Sequence, residues 1–264
     1  MAGVELGILA PAFIAGLLVL STHVPLGRHV LARGIVFIDL AIAQVAALGV
    51  VAADVAGWPI SGWHAQAAAC IAALTAAALL TWIERHWPDI LEALIGVLFV
   101  TAASTELLLL AHDPHGGEHL KDLLVGQILW VTPGDLVPAA ALYAGVLALW
   151  FGAGERLGRI GFYGLFALTV TASVQLVGIY LVFASLIVPA IMVRRLPPAR
   201  ALGIAYLGGA VAYGAGLVLS ALSDLPTGPT VVCALVVTGL ALPTIRLALT
   251  RGPVHPTCKG RNGM

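Results

Sequence analysis

The sequence predicts an all-α protein, a polytopic transmembrane helical bundle of about eight to nine membrane segments, and three observations predict it. Of the 264 residues 60% are hydrophobic and only 10% charged, with a mean hydropathy of +1.02; a soluble domain carries roughly a quarter charged residues. Apolar runs near the ~20 residues that a bilayer-crossing helix needs recur from end to end. The basic residues fall almost entirely on alternate connections between those runs. A chain so poor in charge cannot wet a soluble surface, which excludes a cytosolic enzyme and a disulfide-stapled secreted module. A nucleic-acid binder would carry a basic excess, whereas Lys+Arg and Asp+Glu balance at 13 each. Cys70 and Cys233 sit in apolar runs and Cys258 in the tail, with neither metal-site spacing nor an evident disulfide pairing.

In chain order, hydropathy places the segments at roughly 6–26, 35–53, 65–83, 90–111, 135–151, 162–178, 179–193, 201–221 and 229–248. The first lacks a basic leader and carries Glu5, so it reads as a span rather than a cleaved signal. The third is Ala-rich over 65–79 and the eighth Gly-rich over 203–216, small residues that let helix backbones approach closely. The stretch 123–136 is too short and interrupted to span. The seventh segment is short, with Gly178 before it and Pro189 within it, and reads either as a full span or as half of a broken helix. Leu225-Pro226-Thr227-Gly228-Pro229 cannot continue a helix, and Asp224 holds that turn at the water interface. Residues 1–251 form the transmembrane domain, and the Gly- and Pro-rich 252–264 reads as a disordered cytoplasmic tail.

Arg28 and Arg33 follow the first segment, Arg85 the third, Arg156 and Arg159 the fifth, and Arg194, Arg195 and Arg200 the seventh; Arg246, Arg251, Lys259 and Arg261 close the chain. The other side receives Lys121 alone, with Asp54, Asp113, Glu118, Asp122, Asp135 and Asp224. Twelve basic residues against one orient the chain with its N-terminus outside and its C-terminus in the cytoplasm.

No phosphate-binding loop and no nucleophile elbow is present, and both lysines lie in a loop or the tail. Function therefore falls to polar groups at membrane depth, which are costly and mark pathways. Glu106 lies about four residues from the outer end of the fourth segment, where it either draws cations inward or snorkels to the surface. Glu92 opens the same segment from inside, where an acid suits a helix N-terminus. Ser173, Gln175 and Ser185 flank Gly178 and either line a route or make ordinary bundle hydrogen bonds. The outer loop AHDPHGGEHLKD (111–122) offers His112, Asp113, His115, Glu118 and His119, imidazoles and carboxylates able to hold zinc or manganese; the alternative is a solvated loop.

Three stretches carry a family resemblance. GIVFIDLAIAQVAALGV (34–50), VQLVGIYLVFASLIVPAIMVRRL (174–196) and GLVLSALSDLPTGPTVVCALVV (216–237) agree in order and spacing. They resemble the permease subunits of metal-uptake ABC transporters, the zinc/manganese importers of the metal/cobalamin-uptake type. The resemblance implies a homodimeric permease that is no enzyme itself, in a bacterial inner or plasma membrane. Separate ATPase subunits would lie below and a metal-binding protein outside. It implies no permanently bound cofactor: zinc or manganese, with iron a further candidate, would be cargo. It also implies a metal pair on the second helix, an Asp with a His four residues later. Here Gln44 stands where the His would be, Leu40 lies four before it, and Asp39 is one residue earlier. Five residues set Asp39 and Gln44 roughly 140° apart on an ideal helix, so a shared ion needs a distorted helix or a facing subunit. Otherwise Asp39 pairs with Arg33 or Arg28, and Gln44 makes an interhelical hydrogen bond. The resemblance places the coupling contact to the ATPase at GAGERLGRIG (152–161), with Glu155, Arg156 and Arg159; an ordinary basic inside loop is the alternative. The rival readings are an ABC permease for a metal chelate and a secondary cation transporter.

Overall fold

The computed structural model describes residues 6–58, 63–110 and 128–250. Among them are nine α-helices: α1 Leu6–Arg33, α2 Ile38–Val55, α3 Trp63–His86, α4 Leu91–Leu110, α5 Pro133–Ala153, α6 Gly158–Val177, α7 Ile179–Val193, α8 Pro198–Ser223 and α9 Thr227–Thr250. Each answers to one of the nine hydropathy segments. Seven helices among the described residues are long and apolar enough to cross a bilayer. The 15 residues of α7 reach roughly 22 Å, short of the ~30 Å hydrocarbon core.

The largest departure from the sequence reading is the length of α1, which runs on through Pro25 to Arg33. Proline has no N–H to give the carbonyl four residues back, which here belongs to Ser21. The Tyr206 hydroxyl from α8 donates to that carbonyl at 2.9 Å, so the vacancy is filled from a neighbouring helix and the helix continues. His23 thus lies wholly buried inside α1 rather than at a span end. The helix closes in a Schellman turn. Gly34, at φ +74°, donates its N–H to Leu31, and Ile35 donates to Val30.

The α6–α7 break is a second backbone decision. Gly178 has φ +84° and ψ 162°, a region essentially reserved for glycine, and it separates two helices that would otherwise fuse. At the other hairpin α8 ends on Asp224, left-handed at φ 52°. Ser220 Oγ closes the turn with bonds to the Leu225 carbonyl and Thr227 Oγ1, both at 2.7 Å.

Helix α2 packs on α3 and α4, while α7, α8 and α9 pack on one another. Helix α1 lies against α5, α7 and α8, and α6 joins α3 to the rest. The backbones meet closely where small residues face each other. A Cβ at Gly27 on α1 would stand 2.0 Å from the Leu186 carbonyl oxygen of α7. With no hydrophobic drive to bring helices together in lipid, such close packing is what holds the bundle.

Candidate functional site

Helix α2 carries two buried polar residues, where its apolar run is interrupted at inward positions. Asp39 and Gln44 are 1% and 2% exposed. Gln44 reaches α4, where its Nε2 donates to Glu106 Oε2. Glu106 is completely buried, facing the bundle and not the surface, and its Oε1 has no hydrogen-bond partner. Of the two readings of Gln44, the interhelical hydrogen bond is the contact observed. Both carboxylate oxygens of Asp39 lack a hydrogen-bond partner. The pairing with Arg33 or Arg28 is not made; Arg33 instead places its guanidinium 4.8 Å from the Phe162 ring centre.

Beside the Gln44–Glu106 pair lies an apolar groove of about 470 Å3, walled by α2, α4, α7 and α9. Leu40, Phe99, Leu107, Tyr180 and Phe183 line it, and Gln44 is the amide on its wall. Glu106 stands behind that amide. The arrangement offers oxygen donors from Gln44 and Glu106 next to an apolar space. Among the described residues no three His, Cys, Asp or Glu side chains come together as a metal cluster.

The remaining candidates divide. Ser173 is buried, donating to the Thr169 carbonyl at 2.7 Å and bonded to the Tyr143 hydroxyl at 2.6 Å. Ser185 does the same with Leu181 and Tyr213, at 2.6 and 2.7 Å. Both hydroxyls are therefore occupied in the bundle. Gln175 is exposed and lines a different cavity of about 660 Å3, with Trp63, Gln66, Trp130 and Asp135. Ser173 and Gln175 do not share one space. Glu92 Oε1 accepts the Phe37 N–H at 3.3 Å, tying the start of α4 to the start of α2.

The loop with His112, Asp113, His115, Glu118 and His119 lies outside the described residues, as does the tail 252–264. The 152–161 loop contains a single 3-10 turn, Gly154–Leu157, before α6 begins. Arg156 is exposed, and Arg159 pairs with Glu84 at the end of α3 at 3.7 Å. The partner tyrosines escaped the sequence reading. A tyrosine inside an apolar helix needs a bond for its hydroxyl, and that signal was available at Tyr143 and Tyr213.

The apolar helices define a multi-pass membrane protein with a buried acid–amide pair beside a groove. The chain belongs to the ABC 3 transport family, whose profile matches residues 5–157 and 152–245. The two matches meet in the 152–161 loop. The chain is 24% identical over 251 residues to the high-affinity zinc uptake system membrane protein ZnuB of Haemophilus influenzae, covering 85% of this chain and 92% of that protein. Its fold resembles PsaBC from Streptococcus pneumoniae, solved with a Fab, at TM-score 0.73 and 19% identity, over 92% of this chain and 96% of that one. It also resembles a structure described as a metal-chelate type ABC transporter facing inward, at TM-score 0.65 and 16% identity, over 91% and 85% of the two chains.

Proposed function

We infer that this chain is the membrane-spanning permease of an ABC importer for a divalent transition metal, zinc or manganese first and iron next. It works as a homodimer with its N-terminus outside and C-terminus in the cytoplasm. Separate ATPase subunits dock around Arg156 and Arg159, with Glu155 in the same turn, and a metal-binding protein delivers the ion from outside. The family and the zinc-uptake relative support the class. The observation that carries the reading to residues is the buried Gln44–Glu106 pair beside the α2–α4–α7–α9 groove.

An ion in that groove first meets the Gln44 amide. Turning the amide away from Glu106 frees a carboxylate oxygen to the ion and leaves Gln44 Oε1 as a second ligand. One chain supplies too few donors, so the facing copy completes the set. Asp39 lies roughly 7.5 Å further along α2 and serves as the next carboxylate toward the cytoplasm. Donors made only of oxygen suit manganese better than a site with imidazole would. The histidine loop outside (His112, Asp113, His115, Glu118 and His119) is the receiving end of the route. Rigid-body movement of the two copies alternates access.

The test is metal uptake into vesicles holding the chain with its ATPase and binding protein. ATP-dependent uptake of zinc or manganese is expected, and none from the chain alone. Glu106→Gln should abolish it while the complex still assembles. Concentrative uptake by the chain alone on a proton or sodium gradient would overturn the reading, as would uptake of a metal chelate but not of the free ion.

A further inference from the structure

The seam between α3 and α6 has two different ends. Its outer end is the cavity with Asp135, Gln66 and Gln175. At the other end is a groove of about 380 Å3 that no transport step uses. Helix α3 lines it with Leu74, Ala77, Ala78 and Thr81, a stripe along one helix face, and α6 adds Ile160 and Gly164. The groove exists because side chains are small or missing there: a Cβ at Gly164 would meet nothing within 4 Å. From Leu74 to Arg85 the stripe climbs roughly 16 Å, about half of the ~30 Å hydrocarbon core. Its rim is apolar and open, with Leu74 and Ile160 41% and 78% exposed.

Arg85 and His86 close the groove at the helix end. Arg85 is exposed and makes no ion pair with a described residue, while the adjacent acid, Glu84, pairs with Arg159. His86 Nδ1 donates to the Trp82 carbonyl at 2.8 Å, which fixes its ring at the rim. The Trp82 ring lies 4.6 Å from the His86 ring and 5.1 Å from Trp87. Tryptophans of this kind mark the level of the headgroups, so a free cation sits at headgroup height above a chain-shaped apolar slot.

We propose that the α3–α6 groove binds an anionic phospholipid, one acyl chain lying along Leu74, Ala78 and Gly164 with the phosphate on Arg85. The complementarity is twofold: apolar wall to chain and guanidinium to phosphate, the combination by which basic pockets between transmembrane helices select anionic lipids. The proposal rests on α3 and α6 crossing the bilayer and is independent of the metal cargo.

Native mass spectrometry of the detergent-purified full chain, titrated with phosphatidylglycerol or phosphatidylcholine, tests it. Phosphatidylglycerol should be retained several-fold better. Arg85→Gln should weaken its retention about fivefold, the factor one basic residue near an anionic surface is worth. Gly164→Leu should fill the slot and remove the preference; Ala78→Leu on the opposite wall does the same should the glycine variant fail to fold. Equal retention of both lipids would overturn the proposal. So would an Arg200→Gln effect as large as that of Arg85→Gln, which would mean diffuse attraction. A loss of dimer in the slot-filling variants would assign the groove to a second copy and likewise overturn it.

Discussion

Asp39 lies buried in the first turn of α2 with no hydrogen-bond partner for either carboxylate oxygen, and burying a carboxyl group without a partner is costly. The physical consequence is testable. Asp39→Asn should leave the detergent-extracted yield unchanged or higher, since it removes an unpaired buried acid, while metal uptake falls to background. Loss of yield instead would point to a structural partner for Asp39. Glu106 behaves oppositely. Gln44→Leu removes its donor and strands a buried carboxyl, so thermal unfolding in detergent should show a loss of about 1–3 kcal/mol. In Glu106→Gln an amide can still meet an amide, and the stability loss should be smaller although transport is lost. The sequence made Asp39, Gln44 and Glu106 visible, because polar residues stand out in apolar runs. It did not pair Gln44 with Glu106, since the two are 62 residues apart and only the α2–α4 packing brings them together. It left Gln175 and Ser173 as neighbours, although two residues of separation on a helix turn side chains to nearly opposite faces.

Helix–helix contact makes the next set of predictions. Gly27→Ala would push a methyl into the Leu186 carbonyl, so α1 and α7 must move apart; overpacking of this kind costs about 1–3 kcal/mol, read as a lower melting temperature in detergent. Gly145→Ala on α5, where a Cβ meets nothing within 4 Å, should be neutral or stabilising by up to about 1 kcal/mol. The comparison separates packing from helix propensity. Gly178→Ala should cost about 1–3 kcal/mol by forcing a side chain into a glycine-only conformation. Tyr206→Phe should cost about 1 kcal/mol, because it strands the Ser21 carbonyl that Pro25 leaves free. The nine helices among the described residues were legible from hydropathy, since each apolar run stands out by itself, including α7, which falls short of bilayer length. The end of α1 was not. A proline inside a helix is tolerated or not according to what a neighbouring helix offers its orphaned carbonyl, and here the donor comes from residue 206.

For the molecule as a whole, the charge asymmetry predicts sidedness that labelling can check. A cysteine at Asp89 should react with an impermeant thiol reagent only from the cytoplasmic side, and one at Leu225 only from outside; the reverse pattern at both would invert the bundle. The two ends of the α3–α6 seam should follow the same rule, with Arg85 inside and Asp135 outside. The sequence alone determined that the chain is a multi-pass membrane protein, where its described helices lie and which family it resembles. Those properties are sums over local segments, each decided by its own hydropathy, and a few contiguous motifs. Only the tertiary structure decided which buried acid has a partner, that Arg33 lies on Phe162 instead of on Asp39, and that a groove opens beside Gln44. Such facts depend on which helix faces lie against each other. In lipid those faces are chosen by the fit of small residues and the closing of individual hydrogen bonds, neither of which leaves a period in the sequence.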